Sequence, residues 1–126
     1  ALGTGDFVAG FVGPLLPIYL IVPFVFIAGA IISFTTGTSW GTFAIMMPLA
    51  MPLAFSLGIP PALLLSAVLG GGVFGDHCSP ISDTTIVAAL ASGCDLLGHT
   101  RTQLPYALAV AGVSVIGYLV IGLLVL

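Results

Sequence analysis

Long apolar runs fill most of the chain, and short polar clusters separate them. The runs cover residues 17–33 (PIYLIVPFVFIAGAIIS), 43–57 (FAIMMPLAMPLAFSL), 62–74 (ALLLSAVLGGGVF), 84–97 (TTIVAALASGCDLL) and 104–126 (LPYALAVAGVSVIGYLVIGLLVL). As a helix, the last is about 34 Å long and crosses a hydrocarbon core unbroken, with Pro105 suited to its first turn. The two runs before it are each only about 20 Å long, whereas a crossing takes about 20 residues and 30 Å. Joined end to end through an unwound middle, residues 62–97 make one complete crossing of about 40 Å. This broken helix puts its junction, residues 75–83, near mid-membrane. Residues 58–61 (GIPP) form a turn before it.

The first two runs, on either side of FTTGTSWGT, also fall short of a comfortable crossing. Residues 17–57 therefore read as a re-entrant hairpin with its tip inside the bilayer, or as two short spans joined by a surface loop. The hairpin is favoured: a surface loop has no need of five uncharged hydroxyl residues, and a buried loop must satisfy its own backbone. Pro23 is tolerable where neighbouring helices satisfy the freed carbonyl. Residues 1–14 are glycine-rich, hold Asp6 and read as the end of an earlier element.

Composition settles the solvent. The chain has 126 residues, 60% of them hydrophobic, with four acidic residues, one basic residue, a net charge of -3 and a mean hydropathy of +1.34. A water-soluble globule usually needs about a quarter of its residues charged. The expected fold is an all-α membrane protein: a polytopic helical bundle fragment with a re-entrant hairpin and a discontinuous transmembrane helix. Because the chain opens at Ala1 without an initiator Met and closes at Leu126 within an apolar run, 1–126 reads as a single transmembrane domain fragment of a longer multi-pass protein. No signal or transit peptide is visible. With one Arg, nucleic acid is excluded as a partner. Arg101 puts the loop 98–103, which also holds His99 and Gln103, on the cytoplasmic side, so the hairpin enters from outside. Asp95 is near enough in sequence to pair with Arg101. Cys78 and Cys94 match no metal or redox spacing.

The chemistry lies in the two breaks. Unwinding a helix in lipid exposes backbone groups that cost several kcal/mol each if unpaired, so a break there implies a function or compensating neighbours. Both breaks are rich in oxygen donors. Thr36, Gly37, Thr38, Ser39 and Trp40 line one, flanked by Thr35 and Thr42; Asp76, Ser79, Ser82, Asp83, Thr84 and Thr85 form the other. Hard oxygen ligands suit Na+ rather than zinc, and broken helices hold ion sites in secondary transporters. Asp76 follows the first half-helix at its partly negative end, where its own charge is least favoured. It is expected to trade H+ for Na+, while Asp83, at the partly positive start of the second half-helix, serves as fixed charge and cap. His77 is a candidate proton relay, although a bond to a loop carbonyl is the commoner state of such a histidine. With Cys78 it lacks further ligands at zinc spacing.

Two enzyme readings compete weakly. Gly3, Gly5 and Asp6 fit the GxGD string of intramembrane aspartyl proteases and Pro61-Ala62-Leu63 their PAL, but the partner Tyr-Asp pair is missing from the chain. Gly37-Thr38-Ser39-Trp40-Gly41 fits G-x-S-x-G, yet a nucleophile elbow needs a strand before the Ser, and helical sequence precedes it. Trp40 plugs the hairpin tip or packs as an ordinary aromatic, and the Gly70–Gly72 run lets helices approach closely.

GTSWGT at 37–42, GDHCSPISDTT at 75–85 and HTRTQLPYA at 99–107 resemble the NhaC-type Na+/H+ antiporter family, in the family's order and over nearly the whole chain. The resemblance implies a multi-pass antiporter of the cell (cytoplasmic) membrane within the ion transporter superfamily, not an enzyme, with hairpins and interrupted helices in inverted repeats. Some members exchange malate and lactate with Na+ and H+. The partners it implies are Na+, H+, the lipid bilayer and the remainder of the same transporter chain, with a homodimer a further option. No cofactor is expected beyond the transported ions.

Overall fold

The computed structural model describes residues 3, 7, 10, 11 and 14–126. Thr4, Gly5 and Asp6, and with them the GxGD string, lie outside the described residues. From residue 18 onward the chain is helical: α1 (Ile18–Thr36), α2 (Ser39–Leu57), α3 (Pro61–Cys78), α4 (Asp83–Ser92) and α5 (Leu96–Val125). No strand is present among the described residues. The fold is that of a helical membrane protein fragment, in which α1, α2, α3 and α5 are each long and apolar enough to cross a membrane.

The helices swallow more of the polar clusters than the hydropathy pattern suggests. Thr35 and Thr36 finish α1, and Ser39 to Thr42 start α2, leaving only Gly37 and Thr38 between them. Each threonine in α1 returns its hydroxyl to a carbonyl one turn back, Thr35 to Ile31 and Thr36 to Ile32. They stay helical without exposing a polar group to lipid. The hairpin arms are therefore 19 residues each, about 28 Å, longer than the apolar runs alone. Gly37 closes α1 in the left-handed region (φ 72°), and its N–H donates to the Ser33 carbonyl.

α3 likewise runs past the expected junction. Gly75, Asp76 and His77 are helical, and the unwound segment shrinks to residues 79–82. Pro80 sets the stop: it forces Ser79 out of the helical region (φ -75°, ψ 127°), and it has no N–H to offer the turn before it. α4 is shorter than expected, since Gly93 closes it and the Asp95 carboxylate accepts from the Gly98 N–H to open α5. The final helix thus begins eight residues before Leu104. Residues 98–103 are a helical turn rather than a loop, and Pro105 sits inside the helix. Asp95 is spent on that cap, not on Arg101. The Pro61-Ala62-Leu63 triplet is simply the first turn of α3.

α1 and α3 run parallel and make the closest packing in the structure. A side chain at Gly71 would collide with the Phe26 carbonyl. At Gly75 it would collide with the Ala30 carbonyl and come 2.8 Å from the Phe34 nitrogen. The two glycines let backbone meet backbone, and the Ser33 hydroxyl, buried in that seam, donates to the Gly72 carbonyl at 2.6 Å. Ile21, Val22 and Phe26 of α1, Met46 and Leu53 of α2, and Leu64 and Val68 of α3 form the core. α5 runs antiparallel to α1, with Gly122 beside Tyr19 and the Tyr118 ring tilted against Phe26 at 5.6 Å. Most of its apolar surface stays exposed.

Substituting Gly75→Ala should destabilise the full-length protein by about 1–3 kcal/mol, the usual cost of overpacking. Gly117→Ala, where a methyl group meets nothing within 4 Å, should be neutral or stabilising by up to about 1 kcal/mol. Thermal unfolding of the two variants in detergent checks the contrast.

Candidate ion site

The break between α3 and α4 folds back so that the start of α4 faces the last turn of α3. Asp76 is on that last turn and only 6% exposed. Ser82 Oγ, fully buried, donates to Asp76 Oδ1 at 2.5 Å. Thr84 Oγ1 lies 3.3 Å from Asp76 Oδ2 and 2.8 Å from Ser82 Oγ. A hydroxyl has one proton. With that of Ser82 given to the carboxylate, the Thr84 proton is shared between Ser82 Oγ and Asp76 Oδ2. Thr85 Oγ1, also buried, approaches the Asp76 and His77 carbonyls at 3.5 and 3.4 Å, the first of which also accepts from the Ser79 N–H at 3.3 Å. Asp76 thus stands between the negative end of one half-helix and the positive end of the next.

The remaining break residues serve other ends. Ser79 is buried, but its Oγ accepts from the Ile81 N–H at 3.3 Å, bracing the turn. Asp83 is the first residue of α4 and exposed; its Oδ1 accepts from the Thr84 N–H at 2.9 Å, and it does not join the Asp76 cluster. The two carboxylates differ in surroundings, one buried and the other exposed, and the N-cap position of α4 belongs to Ser82 rather than Asp83. His77, exposed, turns away from Asp76 and lines a small cavity with His99 and Gln103 of α5.

At the hairpin, Thr38 caps α2 by accepting from the Gly41 N–H, and Thr42 Oγ1 donates to the Thr38 carbonyl at 2.9 Å. Thr36 is engaged with its own helix, and Ser39 occupies the first helical position, preceded by a helix rather than by the strand a nucleophile elbow needs. Trp40 does not plug the tip. Its ring is 81% exposed and meets Phe43 edge-on at 5.9 Å.

The structure does bring the two breaks together. A Cβ at Gly37 would lie 2.9 Å from Ile81 Cγ1 and 3.0 Å from the Ile81 carbonyl, so the hairpin tip rests on the unwound segment. Sequence reasoning missed this contact, and missed Ser33, because the serine sits unmarked at the end of an apolar run. The signal available was a glycine run in α3 able to admit a backbone. Among the described residues no three His, Cys, Asp or Glu side chains stand together. The donors around Asp76 are all oxygen, which suits a hard cation rather than zinc.

A membrane-length, all-helical fold interrupted at a buried carboxylate places the chain in the class of integral membrane transporters. Residues 1–123 match the sequence profile of the Na+/H+ antiporter family, and the chain belongs to that family. It is 46% identical over 121 residues to an uncharacterised protein of Haemophilus influenzae, covering 94% of this chain and 23% of that one. A protein of Bacillus subtilis named malate-2H(+)/Na(+)-lactate antiporter is 36% identical over 126 residues, 94% of this chain and 27% of the relative. An uncharacterised Na(+)/H(+) antiporter of Haemophilus influenzae is 40% identical over 107 residues, 85% of this chain and 23% of the relative. The chain spans about a quarter of the length of these relatives. No solved structure matches it significantly. The chain is part of a multi-pass integral protein of the cell membrane, in a family of transporters rather than enzymes.

Gly37→Ala should cost about 1–2 kcal/mol for the left-handed backbone and more for the collision with Ile81. Gly93→Ala shares the positive φ but meets nothing within 4 Å, so it should lose only the backbone part. Chemical denaturation of the two variants separates the terms.

Proposed function

We propose that this chain is the ion-handling part of a Na+/H+ antiporter in which Asp76 alternately holds H+ and Na+. The observation that supports this most directly is the buried Asp76 carboxyl with two hydroxyls turned onto it. When Na+ arrives, the proton leaves. The carboxylate and the lone pairs of Ser82 and Thr84 then face the cation, and the His77 carbonyl at the end of α3 is the nearest further oxygen the break offers. A single carboxylate in a low-dielectric setting neutralises one charge at a time, so H+ and Na+ exclude each other. That exclusion is the exchange. Asp83, exposed at the start of α4, adds a negative field at the mouth of the site.

Depth supports the reading. Cys78, the last residue of α3, shares a cavity wall with Leu104 and Leu108 of α5. These open the 23-residue apolar run of α5, within about two turns of Arg101, so the break lies just inside the hydrocarbon zone on that side. The hairpin tip, resting on Ile81, shares that depth. The site takes no cofactor besides the ions it moves. Its other partners are lipid and the remainder of the full-length transporter, which a homodimer would serve equally well.

A second reading adds an organic acid to the exchange. It is favoured by the likeness to the Bacillus subtilis protein named a malate-2H(+)/Na(+)-lactate antiporter. Proteoliposomes of the full-length protein distinguish the two: a Na+-driven pH change without any organic solute selects simple antiport, and dependence on malate or lactate selects the coupled exchanger. In the same assay Asp76→Asn should lower exchange by at least about a hundred-fold, the value of roughly 2.7 kcal/mol. Asp83→Asn should leave it within about a few-fold, as expected of a screened surface charge. The reverse order of effects would exchange the roles of the two aspartates.

A further inference from the structure

Thr84 has two faces. One holds its hydroxyl against Asp76; the other lines a cavity of about 190 Å³ between α3, α4 and α5. The wall of that cavity is formed by His77 of α3, Thr84, Thr85 and Ala88 of α4, and His99 and Gln103 of α5. Five of the six side chains are polar, in a chain that is 60% hydrophobic. A larger cavity beside it shares His77 and Gln103, but one neighbouring groove contrasts with it. The groove lined by Ile27, Phe34, Leu104 and Leu108 is wholly apolar at the same depth. A cavity of this size has room for about six waters, and the polar side chains on its wall offer them partners, whereas a wholly apolar one stays dry.

We propose that this cavity is the proton's own entrance to Asp76, a water-filled vestibule separate from the way Na+ takes, with the Thr84 hydroxyl as the last link. The inference rests on Asp76 being the exchanging carboxyl. In the step, Thr84 Oγ1 passes its proton to Asp76 Oδ2 and takes one from a cavity water. One O–H bond breaks and one forms on the hydroxyl, leaving it unchanged, and the proton deficit moves out through the water. No redox partner is involved. His77, His99 and Gln103 hold the water file by hydrogen bonding, and their charge state is not required to change. The Thr84 hydroxyl passes H+ by exchanging its O–H bond, whereas Na+ would have to move past it bodily, so the geometry gives the two ions different access to one carboxyl.

The test uses the full-length protein in membranes, with Cys78→Ala and Cys94→Ser removing the native thiols. Ala88→Cys puts a thiol in the cavity; Leu108→Cys puts one in the apolar groove. A sulfonated, membrane-impermeant thiol reagent should label position 88 at least about ten times faster than position 108, since only hydrated thiols ionise and react readily. Labelling at 88 should cut Na+-driven H+ movement by at least about ten-fold, while equilibrium binding of radiolabelled Na+ at fixed pH is kept. Gln103→Cys, on the same wall, repeats the comparison of labelling rates with Leu108→Cys if Ala88→Cys fails to fold. Equal labelling at 88 and 108, or a labelled protein that exchanges at its unlabelled rate, overturns the proposal. If the unlabelled protein binds Na+ but exchanges no H+, it is the antiport reading that falls, and the labelling contrast still decides whether the cavity is wet.

Discussion

Pro80 ends a helix among apolar surroundings, and the structure around it is the set of answers to that stop. Without an N–H of its own and with Ser79 pushed into an extended backbone, the ladder of α3 cannot continue. Carbonyls at the end of α3 and amides at the start of α4 are released where water is scarce, and each would cost several kcal/mol unpaired. The hydroxyls of Ser79 and Thr85 take up part of that demand within a few residues of chain, while those of Ser82 and Thr84 turn to the Asp76 carboxyl. Among the described residues no buried side-chain nitrogen or oxygen lacks a partner. A carboxyl placed at the same point inherits the hydroxyls, which is how a structural repair becomes a site.

The repair needs a fixed neighbour, and α1 supplies it. Glycines at 71 and 75 let the α1 backbone lie directly on α3, and Ser33 bonds across the seam. This parallel contact carries the hairpin tip to Ile81, so the two breaks form one joint rather than two separate features. A motion of the hairpin relative to α3 must therefore move the unwound segment that holds Ser82, and with it the oxygen shell of Asp76. If Asp76 holds the ion as proposed, that link joins the hairpin to the ion site.

Charge is distributed with the same economy. The chain keeps four acids and one base, and only Asp76 among its described acids is buried. Asp95 is used as a helix cap, and Asp83 faces outward at the positive end of α4. A buried ionised carboxyl is expensive unless a cation or a proton compensates it. On the proposed reading, that cost is what holds Asp76 to one or the other at a time.

The hydropathy pattern by itself determined that the chain is helical and membrane-embedded, with a polar interruption around Asp76. It marked Asp76 and Asp83 as unequal, because helix ends impose opposite fields on the two. It could not place the helix boundaries. Threonines and serines that back-bond to the preceding turn look like loop residues in a string but remain helical in apolar surroundings. Tertiary structure alone decided that Ser82 and Thr84, not Ser79, reach Asp76, that Trp40 faces outward, and that Gly37 meets Ile81. Contacts between residues some forty positions apart depend on how closely two backbones can approach. Only the packed glycines of α3 against α1 fix that distance.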